Sequence, residues 1–319
     1  MVTDTPLRIL FFGTPDFALV TFDALLRSRH RVVGAVTQPD KPRGRGQRVA
    51  ESPVKQRAFA AGVPILQPTR LSDEAFLDRM AALEADLGVV AAYGKILTDR
   101  VLAMPRLGLV NVHASVLPRY RGAAPVHRAV IAGDTETGVT IMRVVKALDA
   151  GPMLAVARHP IGPDETSEQL EQELAALGAD LLVATLDELS AGRVHETPQN
   201  EALATYATRL TKDDGIVDWT RTAERLHNLI RGLHPWPHAF TSLQGRRVIL
   251  HRSAVADVVP ATVDPGIVIE AHGDRITVAT GDGALDLLEV QSEGKRKMTV
   301  REFLAGHSVV VGDRFATTA

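Results

Sequence analysis

Through the first half of the chain, short apolar runs rich in β-branched residues alternate with stretches whose apolar positions recur every three to four residues. Residues 8–12, 31–37, 86–92, 107–113 and 139–145 have the first pattern and predict strands. The intervals predict helices, ending with one over residues 167–189. Strands that alternate with helices need crossover connections, so the pattern implies an α/β domain: a doubly wound, mostly parallel sheet covered on both faces. Ligands of such sheets bind beyond the carboxyl ends of the strands. Residues 190–205 carry Gly192, Pro198 and Asn200 with no sustained period and predict a linker. The catalytic part is thus expected over residues 1–189, and a second domain over residues 206–319. There one amphipathic helix, residues 222–233, precedes short runs at 247–251, 266–270, 275–279 and 284–290. The turn pairs Gln244-Gly245, Gly273-Asp274 and Asp282-Gly283 separate them, so a small β-barrel is expected.

A length of 319 residues suits two cores of this size, and an apolar fraction of 45% is ordinary for a globular protein. No apolar run is long enough to span a bilayer, and the N-terminus lacks the basic lead and apolar stretch of a secretory signal. No membrane association is expected. The absence of cysteine excludes disulfides, thiolate metal sites and a cysteine nucleophile, and fits a reducing, cytoplasmic setting. Thirty-six Lys and Arg against 38 Asp and Glu leave the whole chain near neutrality, so any nucleic-acid contact must come from a local basic patch.

The turn after the first strand, Gly13-Thr14-Pro15-Asp16-Phe17, has neither the three-glycine dinucleotide pattern nor a Lys-Ser/Thr phosphate loop. Chemistry concentrates instead in residues 111–122, at the carboxyl end of a predicted strand. Alternate side chains share a strand face, so Asn111 and His113 point the same way. Asp149, before Ala150-Gly151, follows the next strand and can reach the same edge. An amide, an imidazole and a carboxylate suit acyl transfer without a covalent enzyme intermediate. A histidine at a strand end is more often structural, and an aspartate before Ala-Gly more often a turn former, so the spacing alone does not decide. Residues 38–53 place Lys41, Arg43, Arg45 and Arg48 among glycines and prolines, which predicts a mobile cationic arm suited to RNA phosphates. Arg246-Arg247 and Lys295-Arg296-Lys297 fall on predicted turns of the second domain and could line a basic face of the barrel.

The run Asn111-Val112-His113-Ala114-Ser115-Val116-Leu117-Pro118-Arg119-Tyr120-Arg121-Gly122 resembles the signature of the formyltransferases that use 10-formyltetrahydrofolate. The segments 12–17, 37–46 and 228–237 resemble the methionyl-tRNA branch of that family, and the likeness extends over nearly the whole length. The resemblance implies a Rossmann-like catalytic domain with Asn111, His113 and Asp149 as its catalytic set, and a C-terminal OB-like β-barrel. It implies folate contacts from Ser115, Val116, Leu117 and Pro118, with the pterin entering between this loop and residues 89–94 and 144–149. It makes Arg45 the critical cation for methionyl-initiator tRNA. The expected cofactor set is 10-formyltetrahydrofolate as cosubstrate and no metal, because neither His-rich nor Cys-rich ligand spacing stands out; a monomer is expected. Val116, Tyr120 and Pro152 depart from the family's usual Leu, Trp and Asp, and Pro152 bears on the shape of the turn after Asp149. A transferase for small amines, a formyltetrahydrofolate hydrolase, or an RNA-binding protein with an inactive folate domain remain alternatives. The basic arm and second domain disfavour the first two, and the intact set of three disfavours the last.

Overall fold

The computed structural model describes residues 5–43, 48–257 and 263–317. Among them are strands β1 (Arg8–Gly13), β2 (Arg31–Val36), β3 (Lys41–Arg43), β4 (Arg48–Ala50), β5 (Ile65–Leu66), β6 (Leu87–Ala91), β7 (Leu109–His113), β8 (Arg121–Gly122), β9 (Glu136–Arg143), β10 (Met153–Pro160) and β11 (Tyr206–Ala207). The helices of this stretch are α1 (Asp16–Arg27), α2 (Pro53–Ala60), α3 (Glu74–Ala81), α4 (Asp99–Ala103), α5 (Pro125–Ala132) and α6 (Ser167–Ser190). The chain clusters into two units, and the division does not follow sequence order: one comprises Met1–Ala123, Thr137–His159 and Glu171–Ala207, the other Ala124–Glu136, Pro160–Leu170 and Thr208–Ala319.

The first unit is built on a seven-stranded sheet of order β10-β9-β7-β6-β1-β2-β5. The strands from β5 to β7 run parallel, and β9 pairs antiparallel with β7. The predicted doubly wound sheet is therefore present, with an antiparallel edge. The chain steps outward from β1 through β2 to β5, then returns to lay β6 on the other side of β1. That reversal is the topological switch, and the carboxyl ends beside it form a natural crevice. Gly13 closes β1 at this point; a Cβ there would lie 2.6 Å from the Phe11 ring and 2.7 Å from the Cβ of Ala18, so only glycine lets the chain turn into α1. Gly178, in the middle of α6, has a similar reason: its Cβ would meet Val112 at 2.8 Å and Val139 at 3.1 Å. A mid-helix glycine costs about 1 kcal/mol against alanine. Close approach of helix to sheet offsets it.

The second unit contains α7 (Ala223–Gly232) and α8 (Val300–Gly306) with strands β12 (Ala239–Leu243), β13 (Arg246–Val255), β14 (Val268–His272), β15 (Arg275–Ala279), β16 (Ala284–Ser292), β17 (Met298–Thr299) and β18 (Phe315–Ala316). The order is β14-β15-β16-β13-β12-β18, with β17 added beside β16. The neighbours pair antiparallel, and the sheet curls into a half-barrel around Trp219, Leu250, Ile276, Leu285, Leu287, Phe303 and Phe315. Gln244 and Gly245, both at positive φ (51° and 75°), make the two-residue hairpin turn that joins β12 to β13. Helix α5 belongs here, packed on α7. A Cβ on Gly232 would come within 2.5 Å of Ile131, so that packing too depends on a glycine.

Candidate functional site

Strand β7 carries Asn111 and His113 to its carboxyl end, in register with Met142 and Thr140 of β9. The two share one face by strand alternation. Past His113 the chain folds back on itself. The Ser115 hydroxyl donates to the Arg119 carbonyl at 2.7 Å, Thr140 Oγ1 donates to the Ser115 carbonyl at 2.7 Å, and the Leu117 amide donates to Thr140 Oγ1 at 3.1 Å. Ser115 and Leu117 are buried in this self-anchored loop, while Val116 and Pro118 are half-buried. The loop delivers Tyr120, at φ 61°, whose carbonyl lies 2.9 Å from His113 Nε2. A carbonyl can only accept, so Nε2 carries a proton. In the neutral ring Nδ1 is then bare.

That bare nitrogen faces Asp149 Oδ2 at 3.7 Å, an ion-pair distance too long for a hydrogen bond. The same oxygen accepts the Gly122 amide at 2.8 Å, which fixes the carboxylate. Oδ1 accepts no hydrogen bond from the described residues. Asp149 itself sits at φ 47°, a conformation that non-glycine residues adopt chiefly where the surroundings impose it. Pro152 follows without disturbing this turn: its carbonyl accepts the Arg143 amide at 2.9 Å, and it precedes β10, where a missing N–H removes no ladder bond. His113 is 5% exposed and Asp149 16%, so the pair is shielded but reachable. Asn111 is half-buried, and its side chain makes no hydrogen bond among the described residues.

Three residues of this assembly escape a reading of the sequence. Arg121, 2% exposed, donates to Gln199 Oε1 at 3.0 and 2.8 Å and to both oxygens of Glu201 at 2.7 and 2.8 Å. The Glu201 hydrogen bond holds the guanidinium above its ordinary value, and Arg121 in turn lowers the Glu201 carboxyl. Gln199 donates at 2.8 Å to both the Asp149 and Gly151 carbonyls. Gly122, at φ 121°, lies against Ala207 where β8 pairs with β11. Residues 199–205, read as linker, and Tyr206-Ala207, read as the start of the second domain, thus clamp the turns that present His113 and Asp149. Their only signal in sequence is polarity, which loops share.

The segments expected to receive folate lie beside this edge. After β6 the backbone turns through Ala92 (φ 43°) and Gly94 (φ 75°), and Gln38 Nε2 donates to the Tyr93 carbonyl at 2.7 Å. Leu148 and Ile96, 59% and 89% exposed, are large apolar side chains offered to solvent on these turns. The basic arm differs from expectation. Lys41 and Arg43 lie on β3 and Arg48 on β4, an antiparallel hairpin in which Arg43 is registered with Arg48. Arg45 lies outside the described residues. Two short runs separated by a Gly-rich tetrapeptide can pair on each other where composition alone suggests an open loop. Below the hairpin, Lys55 pairs with Asp40 and with Glu51 at 2.9 Å, and Gln67 Nε2 donates to Asp40 Oδ1 at 2.9 Å. In the second unit Arg296 pairs with Glu302 at 2.6 Å and Lys297 with Glu289 at 2.8 Å, and Arg247 stacks 3.6 Å from the Phe240 ring centre. No helix among the described residues is long and apolar enough to cross a membrane.

The chain matches the formyl transferase family over residues 7–186 and the formyl transferase C-terminal domain over residues 209–308. It is 46% identical to the methionyl-tRNA formyltransferase of Symbiobacterium thermophilum over 311 residues, covering 97% of this chain and 95% of the relative. It is likewise 46% identical to the enzyme of that name from Methylococcus capsulatus, covering 98% and 100%. Among solved structures, an N-formyltransferase from Helicobacter canadensis, in complex with folinic acid and dTDP-3-aminofucose, superposes with a TM-score of 0.67 at 15% identity, over 90% of this chain and 99% of that one. Identity that low speaks to fold alone.

Proposed function

Because this chain belongs to the formyl transferase family, we propose that it transfers the formyl group of 10-formyltetrahydrofolate to the amino group of methionyl-initiator tRNA, in the cytoplasm and as a monomer. The observation that carries the reading is the His113–Asp149 pair beside Asn111, at the carboxyl edge of the sheet, in a chain 46% identical to enzymes of that activity. The methionyl amine attacks the formyl carbon, and the carbonyl oxygen becomes the anion of a tetrahedral intermediate. Asn111 donates to it from its side-chain amide. His113 can donate only from Nδ1, because its Nε2 proton is committed to the Tyr120 carbonyl. It therefore acts as an imidazolium, balanced by Asp149 at 3.7 Å. Asp149 Oδ1 takes the proton of the attacking amine and passes it on to the folate nitrogen as the bond from carbon to that nitrogen breaks, so that tetrahydrofolate leaves with the proton and Asp149 is again a carboxylate.

Folate is received by the loop of Ser115, Val116, Leu117 and Pro118. Since Ser115 and Leu117 are spent on anchoring it, recognition falls to the backbone and to the half-buried Val116 and Pro118. The tRNA is met by Lys41, Arg43 and Arg48 of the β3–β4 hairpin together with Arg45, because a cluster of cations suits phosphates and folate requires no such element. The test compares formylation of methionyl-initiator tRNA with that of small amines and with hydrolysis, in the native chain and in Arg45→Ala. We expect tRNA formylation alone to collapse in Arg45→Ala, with folate affinity retained and the salt slope of tRNA binding reduced by about 0.7 to 0.9 per lost phosphate contact. Weakened folate binding with intact tRNA affinity would overturn the placement of the arm, and preference for a small amine would overturn the assigned acceptor.

A further inference from the structure

Three histidines converge in the second unit. His234 and His238 flank the Pro235-Trp236-Pro237 segment between α7 and β12, and His251 lies on β13. One ring nitrogen from each lies within 4.8 Å of one from both others. The Nδ1 atoms of all three are buried and have no hydrogen-bond partner. An unpartnered buried nitrogen costs about 1–3 kcal/mol, so three in one cluster need a reason. The outer nitrogens of two rings supply a second pointer: His234 Nε2 lies 3.1 Å from Glu168 Oε2, and His251 Nε2 lies 2.9 Å from Gln291 Oε1. An oxygen on Nε2 fixes the proton there and leaves the Nδ1 lone pair free. That is how metal-ligating imidazoles are held from outside.

We propose that His234, His238 and His251 form a three-imidazole site for a borderline divalent cation of the zinc class, with its fourth position open to water or to an exogenous ligand. Three neutral nitrogens suit zinc, cobalt, nickel or copper and not magnesium or calcium, which take oxygen ligands. Tetrahedral zinc needs nitrogens about 3.4 Å apart at bond lengths of about 2.0–2.1 Å, so the rings must close by about 1 Å or a little more. His238 sits at φ 65°, a backbone conformation that brings its ring back toward His251, 4.5 Å away between ring centres. Lys297, the cation whose charge reaches His238 and His251, is itself held by Glu289 at 2.8 Å. A bound ion would clip the segment after α7 onto β13, a local clasp separate from formyl transfer. The third histidine joins the pair His234 and His238 only through the β12–β13 hairpin, which is why the sequence reading found no ligand spacing.

The test uses the full-length chain without an affinity tag, stripped with a chelator and dialysed, then titrated with Co²⁺ by visible absorption and with Zn²⁺ by calorimetry. We expect one equivalent to bind, with the ligand-field bands of a four- or five-coordinate nitrogen site, and Zn²⁺ to raise the melting temperature. His234→Gln and His238→Gln should each weaken binding at least 100-fold. Glu168→Gln, on an exposed side chain that leaves the core untouched, should weaken it about 10- to 100-fold and cover the case in which a histidine variant does not fold. Failure of the native chain to bind Zn²⁺ or Co²⁺ stoichiometrically at about 100 µM would overturn the proposal. So would affinity unchanged in Glu168→Gln, or retained when His234 and His238 are both replaced.

Discussion

At the scale of single residues the site makes a sharp demand on one proton. In the proposed mechanism His113 donates to the substrate oxygen only through Nδ1, so removing the ring should cost on the order of 10² to 10³ in turnover, about 3–4 kcal/mol, and Asn111→Ala should cost as much. Single-turnover kinetics on folded variants would measure it; near-normal rates in His113→Ala would refute the role. Tyr93 offers a test that leaves chemistry aside. Its hydroxyl is buried without a hydrogen-bond partner, and burial pushes the phenol up to about 12. The unfolded chain loses that proton near pH 10, the folded chain two units higher, so Tyr93 contributes stability that is whole below about pH 10 and declines as pH rises toward 12. Tyr93→Phe should therefore be neutral or stabilising at pH 8, by up to about 1 kcal/mol, and should flatten the alkaline loss. Urea melts at pH 8 and 11 read both effects.

At the scale of elements, the β-branched runs located β1, β2, β6, β7 and β9 to within a few residues, because a buried strand needs apolar side chains on both faces and declares itself locally. Asn111 and His113 were legible for the same reason: strand alternation puts them on one face before any fold is known. The clamp of Arg121, Gln199 and Glu201 was not, since its partners are 78 and 80 residues apart and look like ordinary loop polarity. Nor was the hairpin of β3 and β4, whose cations suggested an open arm. Gly178, in mid-helix, has its reason only in the contact of α6 with β7 and β9. Gly178→Val should force these apart and destabilise the chain by about 2–3 kcal/mol, read as a lower denaturant midpoint. Gly273→Ala, at a turn where a Cβ meets nothing but φ is 61°, should cost about 1 kcal/mol from backbone strain alone. Equal losses in the two would mean that α6 yields to the larger side chain.

At the scale of the whole molecule, a boundary after residue 189 reads naturally from sequence, but it parts groups that the fold keeps together. A chain ended at Leu189 loses Gln199, Glu201 and β11, which hold the Asp149 turn, and also α7, on which α5 packs. It should express poorly or bind folate weakly, by at least 10-fold. Extending it to Ala207 should restore the clamp while leaving α5 unpartnered; folate titration and size-exclusion chromatography distinguish the two.

The assignment of residues 124–136 and 160–170 to the second unit also has a consequence in time. During synthesis α5 emerges with the first unit, yet Gly232, the residue that seats against its Ile131, is added about 100 residues later. At about 5–20 residues per second, the ribosome holds this helix without its mate for roughly 5–20 seconds. The nascent chain must carry an exposed apolar ridge through that interval, so the period between the two helices, and not the finished protein, is when this molecule is most open to chaperones and most prone to misassembly.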